Sequence, residues 1–271
     1  MIVNALTIAG TDPSGGAGVQ ADLKTFSALG VYGTTVITAV VAQSTRGVTG
    51  IHPVPGAFVA AQLEGLLGDV RIDTVKIGML GTTEVIEAVA TTLERYRPRY
   101  VVLDPVMAAT SGSRLLDRDA LAALRTALLP LVDLVTPNLS EAAALLDEPV
   151  APTTAALLDQ LDRLGGLCAG VLLTGGHRDG PRCVDLLRVD GRTTTLEAPR
   201  APTRTTHGTG CTLSAAIAAL RPVRPDWPSA VGDAKRYLSA ALRSADLLDV
   251  GHGPGPVHHF HALWPEAAPR P

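Results

Sequence analysis

Cysteine is scarce. The three in 271 residues, Cys168, Cys183 and Cys211, are too few and too scattered for a disulfide framework or a zinc site, which suggests a reducing compartment. Basic charge is not in excess either: 23 Lys and Arg stand against 26 Asp and Glu, for a formal net charge of -3, and no Lys/Arg run appears. Neither nucleic acid nor an anionic membrane is therefore an expected partner. No apolar run approaches a membrane span, and the N-terminus lacks a basic flank, apolar stretch and cleavage site. The expectation is a soluble, cytoplasmic protein whose partners are small molecules. No internal repeat is found, and the 46% hydrophobic content allows a large core. Residues 1–271 are read as one domain, with 250–271 a tail packed on it.

Residues Ile2 to Ala9 read as a strand, and Gly10-Thr11-Asp12-Pro13-Ser14-Gly15-Gly16-Ala17-Gly18 as a glycine loop entering a helix striped by Val19, Leu23 and Phe26. Gly16 to Ala21 fits the G-x-G-x-x-A dinucleotide fingerprint, but no Asp or Glu lies between Asp22 and Glu64 to hold a ribose hydroxyl. A Gly-Lys-Ser/Thr ending is also missing, so the loop is not a P-loop. What remains is a loop that admits a flat substrate close to the backbone.

Tyr32 to Ala42 is predicted as one strand ending at Gln43, and Thr45 to Pro55 as loop with one short strand. Helices are expected at Gly56–Leu67, around Val85 to Tyr96, at Leu121–Leu128 and at Thr154–Leu164. Strands are expected at Thr74–Met79, Tyr100–Leu103, Val132–Thr136 and Ala169–Leu173. Asp104 follows a buried strand, where a carboxylate costs desolvation unless it is paired or binds a cation. Asn138 and Glu141 form a capping-box-like pair. Val184–Val189 and Thr193–Ala198 flank Asp190-Gly191 as a hairpin. The alternation implies a mainly parallel central sheet, helices on both faces and a short antiparallel edge hairpin. His252, His258, His259 and His261 fit no common ligand spacing and read as a packed tail.

The organising stretch is Thr205-Thr206-His207-Gly208-Thr209-Gly210-Cys211-Thr212-Leu213-Ser214, a glycine turn opening an Ala-rich helix. Free first-turn amides and the positive end of the dipole make it a site for phosphate or oxyanion, or else a plain helix cap. Cys211 in that first turn is expected to have a lowered pKa.

With Leu6 to Gly18, Val41-Ala42-Gln43, Lys76-Ile77-Gly78-Met79-Leu80, Asp104-Pro105-Val106-Met107, Thr136 to Glu141, Gly175-Gly176-His177 and His207 to Ser214 in order, nearly the whole chain resembles the hydroxymethylpyrimidine kinase / phosphomethylpyrimidine kinase family of thiamin biosynthesis, within the ribokinase-like superfamily. The resemblance implies two phosphoryl transfers from ATP with Mg2+, and room for a monovalent cation. The first goes to 4-amino-5-hydroxymethyl-2-methylpyrimidine and the second to its monophosphate. It assigns Gly208, Thr209 and Gly210 to the phosphoryl group, Cys211 to the alcohol proton, and Asp104 and Glu141 to the metal. Gln43, Gly10, Ala17, Asp22, Met79 and Val106 would surround the pyrimidine, and Thr174, Gly176 and Asn138 would meet ATP. A carboxamide such as Gln43 offers a donor and an acceptor side by side, matching an aminopyrimidine edge. Relatives usually carry Lys where this chain has Thr174, with Arg178 a nearby substitute for the lost charge. A homodimer is what the family suggests. Pyridoxal/pyridoxine kinase is the nearest alternative enzyme, and a non-catalytic pyrimidine-binding regulator the alternative of another class.

Overall fold

The computed structural model describes residues 1–109, 112, 115–117, 119–176 and 180–264. In chain order the elements are β1 (Asn4–Ala9), α1 (Gly18–Ala28), β2 (Tyr32–Ile37), β3 (Ala39–Ser44), β4 (Gly47–Pro53), α2 (Gly56–Leu67), β5 (Thr74–Ile77), α3 (Thr83–Tyr96), β6 (Val101–Leu103), α4 (Ala120–Ala123), β7 (Leu134–Val135), α5 (Leu139–Leu146), α6 (Thr154–Leu164), β8 (Gly170–Leu173), β9 (Arg182–Val189), β10 (Arg192–Pro199), α7 (Thr209–Leu220) and α8 (Trp227–Arg243). One sheet runs β10-β9-β8-β7-β6-β5-β1-β2. Its pairings from β2 across to β8 are parallel, and β9 and β10 add the antiparallel hairpin at one edge. Asp190 and Gly191, at φ 52° and 71°, make the two-residue turn that the Asp-Gly pair favours.

The central strands are apolar on both faces because both are covered. Leu6 and Ile8, Val75 and Ile77, Val101 and Leu103, Val135, and Val171 and Leu173 join the core under α2, α3, α5 and α6. The alternate residues Ala5, Val102, Leu134 and Leu172 meet α7 and α8, together with Phe26 of α1. Period-two alternation therefore puts Thr7 and Lys76 on this second face. There Lys76 Nζ lies 2.8 Å from Asp22 Oδ2 of α1, both side chains fully buried, and Thr7 Oγ1 donates to the same oxygen at 2.6 Å. Burial opposes the Lys76 charge, but the carboxylates of Asp22 and Asp104 overcome it and hold its pKa above the ordinary lysine value.

The stretch Tyr32 to Ala42, expected as one strand, is two. Thr38 donates its N–H to Ala9 O at 3.0 Å and its hydroxyl to Met79 O at 2.6 Å, so the chain is pinned at the ends of β1 and β5. It then leaves the sheet, and β3 pairs with β4 in a separate antiparallel hairpin, with a register shift at Ala42/Gln43. Gln43 thus belongs to this hairpin and not to a strand end of the main sheet. The expected helix at Leu121–Leu128 is α4 continued by a wider π-type turn at Leu124–Leu128.

Residues 257–259 of the tail lie against α7 and α8. Val257 is fully buried, His258 donates its N–H to Ala241 O at 3.1 Å, and the Tyr237 hydroxyl donates to His259 O at 2.7 Å. His259 Nε2 is 3.1 Å from Thr212 Oγ1, and burial, with the nearby Lys24 charge, pulls the ring down to about 3. Among the described residues, no helix is long and apolar enough to cross a membrane.

Removing one partner of a buried ion pair strands the other charge. Lys76→Met is expected to cost about 3–5 kcal/mol in urea unfolding, and Asp22→Asn added to it to recover more than half of that loss. Equal stability of wild type and Lys76→Met would show the pair to be neutral for folding.

Candidate active site

Five strand ends deliver the site. Gly10 follows β1, Met79 lies just past β5, Asp104 follows β6, Asn138 stands beyond β7, and Thr174 follows β8. These positions are where open parallel sheets bind ligands. With the hairpin β3–β4 and the start of α7, they enclose a cavity of about 680 Å³. It is lined by Gly10, Ala17, Gln43, Met79 and Val106. Asp104, Glu141, Asn138, Thr174, Gly176, Gly208, Thr209, Gly210 and Cys211 are also among its lining residues. The sequence reading singled out all of these. Asp22 is the correction. It is fully buried between α1 and β5, paired with Lys76, and does not line the cavity, because its helical position faces the sheet and not the loop.

The turn before α7 depends on glycine. Gly208 has φ +76°, and a Cβ there would run into the Gly16 carbonyl oxygen, so the two glycine loops touch backbone to backbone. No side chain caps α7. The Thr209 N–H turns back to Thr206 O at 3.3 Å, and the positive dipole end lies at the cavity wall as an anion site, beside Asp104, which lies 3.5 Å from where a Cβ on Gly210 would stand. Ser214 Oγ donates to Asp104 Oδ2 at 3.3 Å.

Cys211 stands in the first turn as expected, but its thiol is not acidified. Burial pushes it up to about 12, with Asp104 and Asp22 adding to the rise against Lys76. Burial, the largest cause, and these charges, which come from elements distant in sequence, are both set by the fold and not by the local turn. Glu141 serves its helix: Asn138 Oδ1 accepts from Ser140 N and Glu141 N at 2.9 and 3.0 Å, and Glu141 Oε2 accepts from Asn138 N at 2.9 Å. It also faces the cavity, where burial and then the Asp104 charge push it up to about 8. Burial likewise raises Asp104.

Asp104 and Glu141 form a hard-oxygen pair whose mutual repulsion a divalent cation would relieve. No cluster of three or more His, Cys, Asp or Glu able to hold a metal occurs among the described residues. Two carboxylates nevertheless fit magnesium, which keeps water and substrate phosphates as its other ligands.

Thr174 bridges to Asn138, and its N–H donates to Pro137 O at 2.9 Å. Arg178 and His177 lie outside the described residues. Sequence reasoning missed the cations that do line this part of the cavity, Lys235 and Arg200. Lys235 of α8 pairs with Asp185 of β9, whose other oxygen accepts from Gly175 N at 2.9 Å, and Arg200 donates to Gly176 O at 2.8 Å. A lone Asp in the apolar strand at Val184–Val189 was the available signal. Asp12 and His207 were also missed, although both lie in the quoted motifs. Asp12 Oδ2 accepts from Ala17 N at 2.8 Å and lies 2.7 Å from His207 Nε2.

An uncapped glycine-turn helix, two carboxylates and a flat apolar pocket at the ends of parallel strands define a small-molecule phosphotransferase of the ribokinase-like α/β class. The phosphomethylpyrimidine kinase family profile matches residues 12–258, and the chain belongs to that family. It is 59% identical over 263 residues to the hydroxymethylpyrimidine/phosphomethylpyrimidine kinase of Escherichia coli (strain K12), covering 97% of this chain and 99% of that protein. With the enzyme of the same description from Rhizobium meliloti (strain 1021) it shares 51% over 266 residues, covering 97% and 99%. Among solved structures, an ADP complex of Bacillus subtilis pyridoxal kinase matches with a TM-score of 0.88 at 33% identity, covering 97% of this chain and 99% of that one. The phosphomethylpyrimidine kinase of Clostridium difficile 630 matches with a TM-score of 0.78 at 36% identity, covering 89% and 99%.

Proposed function

We propose that the cavity carries out both phosphoryl transfers of thiamin biosynthesis, from ATP to 4-amino-5-hydroxymethyl-2-methylpyrimidine and then to its monophosphate. The chain is a bifunctional hydroxymethylpyrimidine/phosphomethylpyrimidine kinase. The observation that carries the detailed reading is that one cavity joins the Gln43, Met79 and Val106 pocket to the turn at Gly208–Gly210 and to Asp104 and Glu141.

Phosphoryl transfer needs positioning and charge stabilisation more than covalent help from the protein. The pyrimidine lies against Gly10 and Ala17, between Met79 and Val106, with Gln43 on its polar edge. Its hydroxymethyl group points to Cys211. The amides from Gly208 to Gly210 receive the phosphoryl oxygens. Asp104 and Glu141 would hold magnesium, which would supply positive charge to the phosphates and relieve the repulsion between the two carboxylates. The Lys76 ammonium and the Gly18 N–H favour the Cys211 thiolate against its burial, and it is the thiolate that takes the alcohol proton. The nucleotide phosphates run toward Asn138, Thr174 and Gly176, with Lys235 and Arg200 alongside.

A product assay with MgATP and the pyrimidine alcohol, with pyridoxine in parallel, tests the reading. Monophosphate followed by diphosphate is the expected result. Preference for pyridoxine would favour the vitamin B6 enzyme, and pyrimidine binding without turnover the regulator. Only the first acceptor must lose a proton from an alcohol, since the second is already an anion. Cys211→Ala is therefore expected to slow the first step by about 10²-fold or more and the second much less. Equal losses in both would make Cys211 a positioning group. Thr174→Lys is expected to lower the KM for ATP several-fold, because a lysine there adds a charge aimed at phosphate. An unchanged KM would show that the missing lysine does not limit ATP binding.

A further inference from the structure

His207 is held by segments far apart in the chain. Its backbone N–H donates to Gly255 O at 3.1 Å, and its ring packs on Gly16, where a Cβ would meet ring carbon Cδ2. Ring Nε2 lies 2.7 Å from Asp12 Oδ2 and 3.3 Å from Gln43 Nε2. All three side chains line the cavity, and the next residue, Gly208, opens the phosphoryl turn.

The chemistry of these three groups fixes their hydrogens. Burial opposes the Asp12 charge, but hydrogen bonds from His207, Ser14 and the Ala17 N–H outweigh it and hold the carboxyl down at about 2. An ionised carboxylate only accepts, so the hydrogen on His207 Nε2 points at Asp12. That nitrogen then has no lone pair for the Gln43 NH2 group, which is itself a donor. Carboxamide oxygen and nitrogen share one outline, and their assignment follows from the hydrogen-bond network. With the amide turned over, Oε1 becomes the minor acceptor of the same N–H, shared with Asp12 at the longer distance, and the NH2 group faces the cavity.

We propose that His207, held by Asp12, is a positioning residue that fixes the Gln43 carboxamide with its oxygen toward the imidazole and its NH2 group toward the substrate. The inference rests on the reading that Gln43 binds the aminopyrimidine. In this orientation the NH2 group donates to a ring nitrogen, and the second lone pair of Oε1 stays open for the exocyclic amine. Without His207 the amide samples both orientations, and the reversed one sets oxygen against the ring nitrogen. Because His207 and Gly208 are consecutive, the group that orients ring recognition is also tied to the phosphoryl turn.

Calorimetric titration of 4-amino-5-hydroxymethyl-2-methylpyrimidine into wild type, Gln43→Ala, His207→Ala, His207→Gln and the double variant Gln43→Ala/His207→Ala tests this, with thermal melts of each. His207→Ala is expected to weaken binding about tenfold, and Gln43→Ala at least as much. The double variant should bind no worse than Gln43→Ala alone, within about twofold, because His207 acts through Gln43. His207→Gln, whose amide nitrogen reaches the place of Nε2, should restore the Kd to within about threefold and leave the KM for ATP unchanged. Additive losses in the double variant, or a lowered Tm with an unchanged Kd in His207→Ala, overturn the proposal. A wild-type Kd in Gln43→Ala overturns the placement of the pyrimidine as well, whereas a weakened Gln43→Ala with additive losses overturns the role of His207 alone.

Discussion

One buried ammonium sets the charge of this site. Lys76 sits in the middle of the sheet with no exposure, and it is the cation acting on Asp22, Asp104 and Cys211 together. A lysine in such a place is costly unless it is paired, and Asp22 meets that requirement with one oxygen while Thr7 donates to the same atom. The other Asp22 oxygen has no hydrogen-bond partner among the described residues. Replacing a buried pair of this kind by two apolar residues of similar volume is often neutral or stabilising, because the desolvation cost goes with the charges. What Lys76 provides is a fixed positive charge beneath the reacting end of the cavity, where two acids and a thiol converge.

The backbone supplies the complementary half. Where the loop after β1 meets the turn before α7, main chain lies on main chain, and a side chain at Gly208 would separate them. The contact brings the start of α7 to the cavity that Gln43 also lines. Asp12 tightens it by gathering N–H groups from Ser14, Gly16 and Ala17 while also holding His207. Rigid donors of this kind lose little in reorganisation when a charged group arrives.

Much of this was legible from local pattern. Apolar strands bounded by glycine, the Asn138–Glu141 cap and the Asp190-Gly191 hairpin are each decided by residues within a few positions of one another, and the strand ends that carry site residues follow from them. The break at Thr38 was not legible, because the β-branched run continues through it and only the carbonyls of Ala9 and Met79 dictate the turn. Asp22 could have been placed: it shares helical spacing with Val19 and Phe26, both buried, so it had to face the sheet. The Cys211 thiol could not, since a helix terminus is a local feature whereas Asp104 and Asp22 reach it through the fold.

The end of the cavity at Thr174 is built by several elements at once. Thr174 brings a hydroxyl, which donates to Pro137 O, and no charge. The nearby Lys235 is paired with Asp185, and that carboxylate is committed through its second oxygen to the Gly175 N–H. An ammonium neutralised by its own carboxylate attracts phosphate less than one presented at a loop tip, because the pair has no net charge at distance and only its local dipole remains. The pair still has a positional effect: it ties α8 to the loop after β8 and so fixes the carbonyl of Gly176, to which Arg200 also donates. Geometry at this end is thus over-determined: of the described cations that line it, Lys235 is held by Asp185 and Arg200 by the Gly176 carbonyl.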